Sequence, residues 1–150
     1  NDAASAVTRL LDLGTEPYLV SSSLVASLAQ RLVRKLCGKC KRPRRSGDAL
    51  PNVPTTLLES HDLTQADLVG VFEPVGCEAC RGTGFSGRVG LFELLVIDDV
   101  CRELVQSRSN AAAIRDAGLQ SGMHLLSMDG LLKVHQGITT LDEVLRVTTL

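Results

Sequence analysis

Aromatic side chains are scarce in this chain of 150 residues: it has no tryptophan, one tyrosine and three phenylalanines. Its core must therefore be built from Leu, Val, Ala and Ile, and recognition of nucleic acid by base stacking has few platforms to use. Neither sign of charge is in excess, the net charge being −1, which argues against a surface that is basic all over. No uninterrupted apolar run approaches the roughly 20 residues that a membrane-spanning helix needs. The phosphate-binding pattern G-x-x-x-x-G-K-[ST] is missing and no G-x-G-x-x-G follows a strand-like segment, so the usual cradles for nucleotide phosphates are not found in these residues. His61, His124 and His135 are isolated in sequence, with no carboxylate or hydroxyl at a telling spacing, and read as surface or packing residues. The chain opens on Asn1 with no charged n-region, so it carries no visible secretory leader and is expected to be a piece of a longer protein.

What the chain does have is cysteine in a pattern. Cys37-Gly38-Lys39-Cys40 and Cys77-Glu78-Ala79-Cys80 are two C-x-x-C knuckles, and Gly76, Gly82, Gly84 and Gly87 flank the second. Two pairs of thiolates suit a tetrahedral zinc ion, each pair supplying one edge. A thiol redox pair or a disulfide is the competing reading for one C-x-x-C; two of them with glycine-rich flanks read better as a structural tetracysteine site. Four sulfurs close the metal's shell and leave no position for a catalytic water. On the scale of zinc-finger peptides such a metal would contribute on the order of 10 kcal/mol to folding the intervening segment. Lys39, Lys41, Arg42 and Arg81 stand beside the knuckles and would offset the charge of the site. Cys101, in Val-Cys-Arg-Glu-Leu-Val, falls among apolar helix positions and reads as a small buried hydrophobe. Reduced thiols imply a cytosolic setting.

Charge is uneven along the chain. Eight basic and no acidic residues lie between Arg31 and Arg45, and six acidic and no basic ones between Ser46 and Glu78. The basic run can compensate the thiolates as solvated surface, or meet an acidic protein surface or anionic lipid headgroups. Nucleic acid fits it least, because no aromatic interleaves the basic residues.

Periodicity predicts a helix over Asp2–Leu13, capped by Asn1 or Asp2 and stopped by Gly14. A second helix is expected to be capped by Ser21–Ser23 and to run to about Gln30 with Leu24, Val25 and Leu28 inward, followed by a strand over Arg31–Leu36, the alternative being that the helix continues through those residues. Helices are expected within Thr55–Leu68, an extended piece over Leu68–Val75, and the clearest strand over Arg88–Ile97. Later helices are expected after Asp98 and Asp99, from Ser109-Asn110 to Gly118, from Met123 to Gln136, and from a capping box at Thr140 with Glu143. The order strand, insert, strand suggests a zinc subdomain looped out between two strands of one small sheet.

Three stretches carry a resemblance: NDAASAVTRLLDLGTEPYLVSSSLVASLAQRLVRKLC, GCEACRGTGFSGRVGLFELLVIDD and GITTLDEVLRVT. They are similar to the C-terminal part of type II secretion ATPases, within a superfamily that includes the type IV pilus assembly ATPases. The match covers nearly the whole chain and is weakest over residues 44–72; Leu11–Pro17 and the serine triplet favour the secretion branch. The resemblance implies an α+β chain with 1–36 as the end of a RecA-like motor domain. Residues 37–87 would be a tetracysteine zinc insert, and 88–150 a strand followed by a C-terminal bundle of short helices. It implies that Cys37, Cys40, Cys77 and Cys80 are zinc ligands, and that ATP and Mg2+ are bound only by the full-length parent. Its partners would be the proteins of an inner-membrane secretion platform, with a homo-hexameric parent, cytoplasmic and peripheral at the inner membrane; anionic lipid headgroups meeting residues 31–45 are an expectation from the basic run, not from the resemblance. No catalytic residue carries over, and this chain alone is expected not to hydrolyse ATP. The alternative reading is a free-standing zinc-ribbon adaptor for nucleic acid or an acidic partner.

Overall fold

The computed structural model describes residues 2–45, 55–59 and 71–148. Its elements are α1 (Ala3–Asp12), α2 (Pro17–Ser23), β1 (Ala26–Leu36), β2 (Arg42–Pro43), α3 (Thr55–Glu59), β3 (Phe72–Glu73), β4 (Phe85–Val96), α4 (Asp99–Gln106), α5 (Ala111–Gln120), α6 (Leu126–His135) and α7 (Leu141–Val147). The fold is α+β: β1 pairs with β4 in one two-stranded sheet, and β2 with β3 in another. Ile97 N–H donates to Val25 O and Cys37 N–H to Gly84 O, each at 2.9 Å, so β1 and β4 run antiparallel. The insert bearing the second sheet is thus looped out between the strands of the first, as the sequence order suggested. The rest of the helices expected to Leu68, and the extended start at Leu68, lie outside the described residues. No helix among the described residues is long and apolar enough to cross a membrane.

The chain divides into two compact units, Asn1–Gln30 with Phe92–Leu126, and Arg31–Leu91 with Ser127–Leu150. In the first, α2 packs on α4, and α1 and α4 on α5. Ala3, Ala4, Val7 and Leu11 of α1 meet Val20, Leu95, Ile97, Cys101, Val105, Ile114 and Met123 in one aliphatic core. Local caps start these helices: Asp2 accepts from Ser5 N–H, Asp98 from Cys101 N–H and Asn110 from Ala113 N–H. Along β4 the chain alternates, Leu91, Glu93 and Leu95 inward, Phe92, Leu94 and Val96 outward. The inward Glu93 is 3% exposed. It accepts from Ala3 N–H at 2.9 Å and Leu126 N–H at 3.2 Å, so one carboxylate serves the starts of two helices.

Several expectations are corrected. The helix placed after Ser21–Ser23 lies before and through them: Pro17 fixes its first turn, and the Ser21 and Ser22 hydroxyls bond back to Tyr18 O and Leu19 O. Residues 26–30 join β1, whose pairing with β4 overrides local helix propensity, so Val25 and Leu28 face outward at 75% and 59% exposure. Helix α5 continues past Gly118 to Gln120; the glycine is there because a Cβ would sit 2.6 Å from Leu95 Cδ1. Helix α6 begins at Leu126 rather than Met123, where the Glu93 carboxylate waits.

In the second unit Leu131, Val134, Leu141 and Val144 of α6 and α7 are buried, as are Val33, Leu36 and Leu91 of the strands. The α6–α7 turn docks on β1: Leu36 N–H donates to Ile138 O at 2.8 Å and the Thr139 hydroxyl to Arg34 O at 2.8 Å. Thr140 does cap α7, but only half of the expected box forms. Glu143, 2% exposed, turns away from the Thr140 N–H to take two guanidinium groups, those of Arg34 and Arg146.

Candidate metal centre

Each knuckle is a turn closed by its own backbone. In the first, Cys40 and Lys41 N–H donate to Cys37 O at 3.3 and 3.0 Å; in the second, Cys80 and Gly82 N–H donate to Cys77 O at 3.2 and 2.9 Å. Residues 78–80 form one 3₁₀ turn, and Arg81 closes it in the left-handed region. Such turns aim both sulfurs of a pair to the same side.

Two further contacts bring the pairs together. Cys37 N–H reaches Gly84 O, tying the end of β1 to the approach of β4. Beyond the knuckles β2 and β3 pair antiparallel, Arg42 opposite Glu73 and Pro43 opposite Phe72, and the Arg42 and Arg44 side chains both ion-pair with Glu73. Gly84 has φ +76 and its missing Cβ would collide with Pro74, so the loop can pass this close only with glycine.

The four sulfurs lie within 4.8 Å of one another. Cys37 to Cys77 is 3.9 Å, and Cys40 to Cys80 and Cys77 to Cys80 are each 3.8 Å. A tetrahedron with metal–sulfur bonds of about 2.3 Å has edges of about 3.8 Å, the bond length times the square root of eight-thirds. A disulfide would need about 2.05 Å. All five cysteines are free thiols.

Backbone N–H groups point at two of these sulfurs. Gly76 N–H donates to Cys40 Sγ at 3.3 Å, and Cys77 and Gly84 N–H to Cys80 Sγ at 3.1 and 3.2 Å. Burial pushes the Cys80 thiol up, but those donors outweigh it and hold it down at about 6. At Cys40 burial and the neighbouring thiols prevail over the single Gly76 donor and raise it to about 11. Four sulfurs in this space cannot all ionise alone; a divalent cation is what would let them. The donor set, its spacing and its hydrogen bonds fit a four-thiolate zinc site.

Cys37, Cys40, Cys77 and Cys80 are therefore brought together as the spacing led one to expect, and no histidine or carboxylate joins them among the described residues. Cys101 is fully buried in the first unit's core. Two features escaped sequence reasoning. Glu73 neutralises part of the basic run, which the switch of charge sign near Ser46 could have signalled. Lys41, expected only to balance thiolate charge, donates to Gly137 O at 2.6 Å with its ammonium 4.5 Å from the Phe72 ring centre; nothing in the sequence signals that contact.

The family model described as Type II/IV secretion system protein matches residues 1–146. The chain belongs to this family. Among its relatives, the Type II secretion system protein E of Aeromonas hydrophila is 45% identical over 150 residues, which are 99% of this chain and 28% of that protein. The Type IV pilus assembly ATPase PilB of Thermus thermophilus is 42% identical over 150 residues, 99% of this chain and 16% of that protein. The Type II secretion system ATPase E of Vibrio cholerae is 40% identical over 148 residues, 99% of this chain and 28% of that protein. The chain thus spans less than a third of the curated relatives it matches, and secretion and pilus members match it about equally.

Proposed function

We propose that this chain is the C-terminal part of a type II secretion ATPase and that Cys37, Cys40, Cys77 and Cys80 hold one structural zinc ion in it. The observation that carries the reading is a four-sulfur cluster, three of its edges 3.8 to 3.9 Å and all of them within 4.8 Å, inside a chain of the secretion family. In this proposal residues 1–36 end a RecA-like motor domain, 37–87 are the metal-binding insert and 88–150 the strand and helices that follow. The full-length protein would be a cytoplasmic hexamer at the inner membrane, hydrolysing ATP with Mg2+ to drive pseudopilus assembly. Residues 1–150 lack the phosphate-binding loop and would not turn over ATP by themselves.

The metal would supply a cross-link between the ends of a long insert. The chain's own residues do the rest: the N–H groups of Gly76, Cys77 and Gly84 hold sulfurs in place, and β2 with β3 closes the neck. A stiff insert could pass motor-domain motion to a membrane platform instead of dissipating it. The first test is elemental analysis of reduced, gently purified protein, with one zinc per chain expected. Cys77→Ser should release it and raise hydrogen exchange over residues 37–45 and 71–87. Empty sulfurs, or sulfurs oxidised in pairs, would overturn the metal reading; secretion surviving zinc removal from the full-length protein would overturn the lever.

A further inference from the structure

In the second unit Arg34, Arg88 and Arg146 line one open cleft of about 470 Å³, with Leu32 beside them. They come from β1, β4 and α7, and only Arg34 belongs to the basic run Arg31–Arg45. Glu143 fixes two of the three. Its carboxylate takes Arg34 through Nε at 3.0 Å and Nη2 at 2.8 Å, and Arg146 through Nε at 3.3 Å and Nη2 at 2.9 Å. The Arg34 guanidinium also stacks 4.1 Å from the Phe85 ring centre. Both guanidiniums are therefore held by one edge, and both remain about half exposed, at 55% and 57%. The Arg88 side chain is exposed and makes no ion pair or side-chain hydrogen bond among the described residues. One carboxylate among three guanidiniums leaves two positive charges unanswered.

We propose that Arg34, Arg88 and Arg146 bind a phosphate-type dianion, carried either by a small soluble phosphate such as a nucleotide or by a lipid headgroup. Guanidinium forks held in place match the oxygens of phosphate and lose little side-chain freedom on binding it. A terminal phosphate offers three oxygens and close to two negative charges; a carboxylate offers two oxygens and one charge, a poorer match to three forks and a surplus of two. Arg34 and Arg146 are positioned by Glu143, and Arg88 is the arm free to close on the ligand. The site is separate from the cysteine cluster, and the proposal stands whether or not that cluster holds zinc.

The test uses the whole chain with its thiols reduced and its metal site untouched. Inorganic phosphate, ADP, and phosphatidylcholine vesicles with or without phosphatidic acid are titrated while the arginine Nε–H resonances are followed. Saturable shifts at all three arginines are expected, growing as the phosphate takes its second charge. Arg88→Ala should weaken binding about tenfold or more without changing the melting temperature, and Arg88→Lys should restore part of it. Response to phosphate and ADP assigns a soluble source; response only to vesicles with phosphatidic acid assigns a headgroup; either supports the site. Absence of binding to every probe, equal binding by Arg88→Ala, or stronger binding of polyglutamate than of phosphate would overturn it.

Discussion

Replacing Glu143 by glutamine should destabilise the chain by about 2 kcal/mol near neutral pH, and the loss should fade in acid. The magnitude comes from five hydrogen bonds onto one buried carboxylate: the Arg34 N–H at 2.8 Å and the two forks from Arg34 and Arg146. Burial pushes this carboxyl up, but those donors outweigh it and hold it at about 2, against an ordinary 4.5. A difference of that size corresponds to about 3 kcal/mol. The guanidiniums are half in water, which screens them, and about 2 kcal/mol is the better expectation. Because the folded value lies below the unfolded one, the stabilisation is complete above about pH 4.5 and is lost as pH falls towards about 2. Urea unfolding of both chains at matched salt would read it, with a fall in melting temperature of roughly 4–8 °C at neutral pH. Acid also strips metal from thiolates, but it does so in both chains, so the difference between them remains the measure. A gap below about 0.5 kcal/mol at neutral pH, or a gap unchanged near pH 3, would refute the reasoning.

Two other substitutions probe the first unit. Glu93→Gln leaves one acceptor where two helix starts need two, and should lower stability by about 1–2 kcal/mol in thermal melts; a neutral result would mean that water serves one of those N–H groups. Gly118→Ala sets better helix propensity, about 1 kcal/mol, against a Cβ placed 2.6 Å from Leu95 and 3.2 Å from the Met123 sulfur. Overpacking should win by about 1 kcal/mol net, and a stabilised variant would show that Leu95 yields.

The parts of this fold that were legible in sequence are those decided within four residues. Asp2, Asp98, Asn110 and Thr140 cap their helices because a short side chain reaches a donor three residues on. The knuckles were legible for the same reason: in C-x-x-C a turn closed by its own backbone brings two sulfurs together within four residues. What was misread depends on distant partners. Ser21–Ser23 looks like a helix start, yet Pro17 had already begun that helix and β4 claims the residues after it. Gly118 looks like a stop until Leu95 is placed beside it. Thr140 and Glu143 satisfy the capping-box spacing, but a guanidinium from Arg34, 109 positions earlier, is a stronger partner for the carboxylate than the N–H of Thr140.

The proposed lever needs more than a tight cluster; it needs the sulfurs to be joined firmly to what surrounds them. Within the second unit that joint is visible bond by bond. β1 runs into the first knuckle without a break, and Cys37 N–H is held by Gly84 O. One residue past Cys40, Lys41 spans to Gly137 O and covers Phe72 of β3. The next turn residues, Ile138 and Thr139, bond to Leu36 and Arg34 of β1, and Glu143 of α7 takes Arg34 again. The path from knuckle to α6–α7 turn to β1 closes on itself, so shearing the turn from the knuckle must break several contacts at once. Each is worth about 1 kcal/mol, too little to resist alone. In a closed ring they must fail together, and a cross-link at the sulfurs would remove the freedom by which the ring could open at Cys37 first.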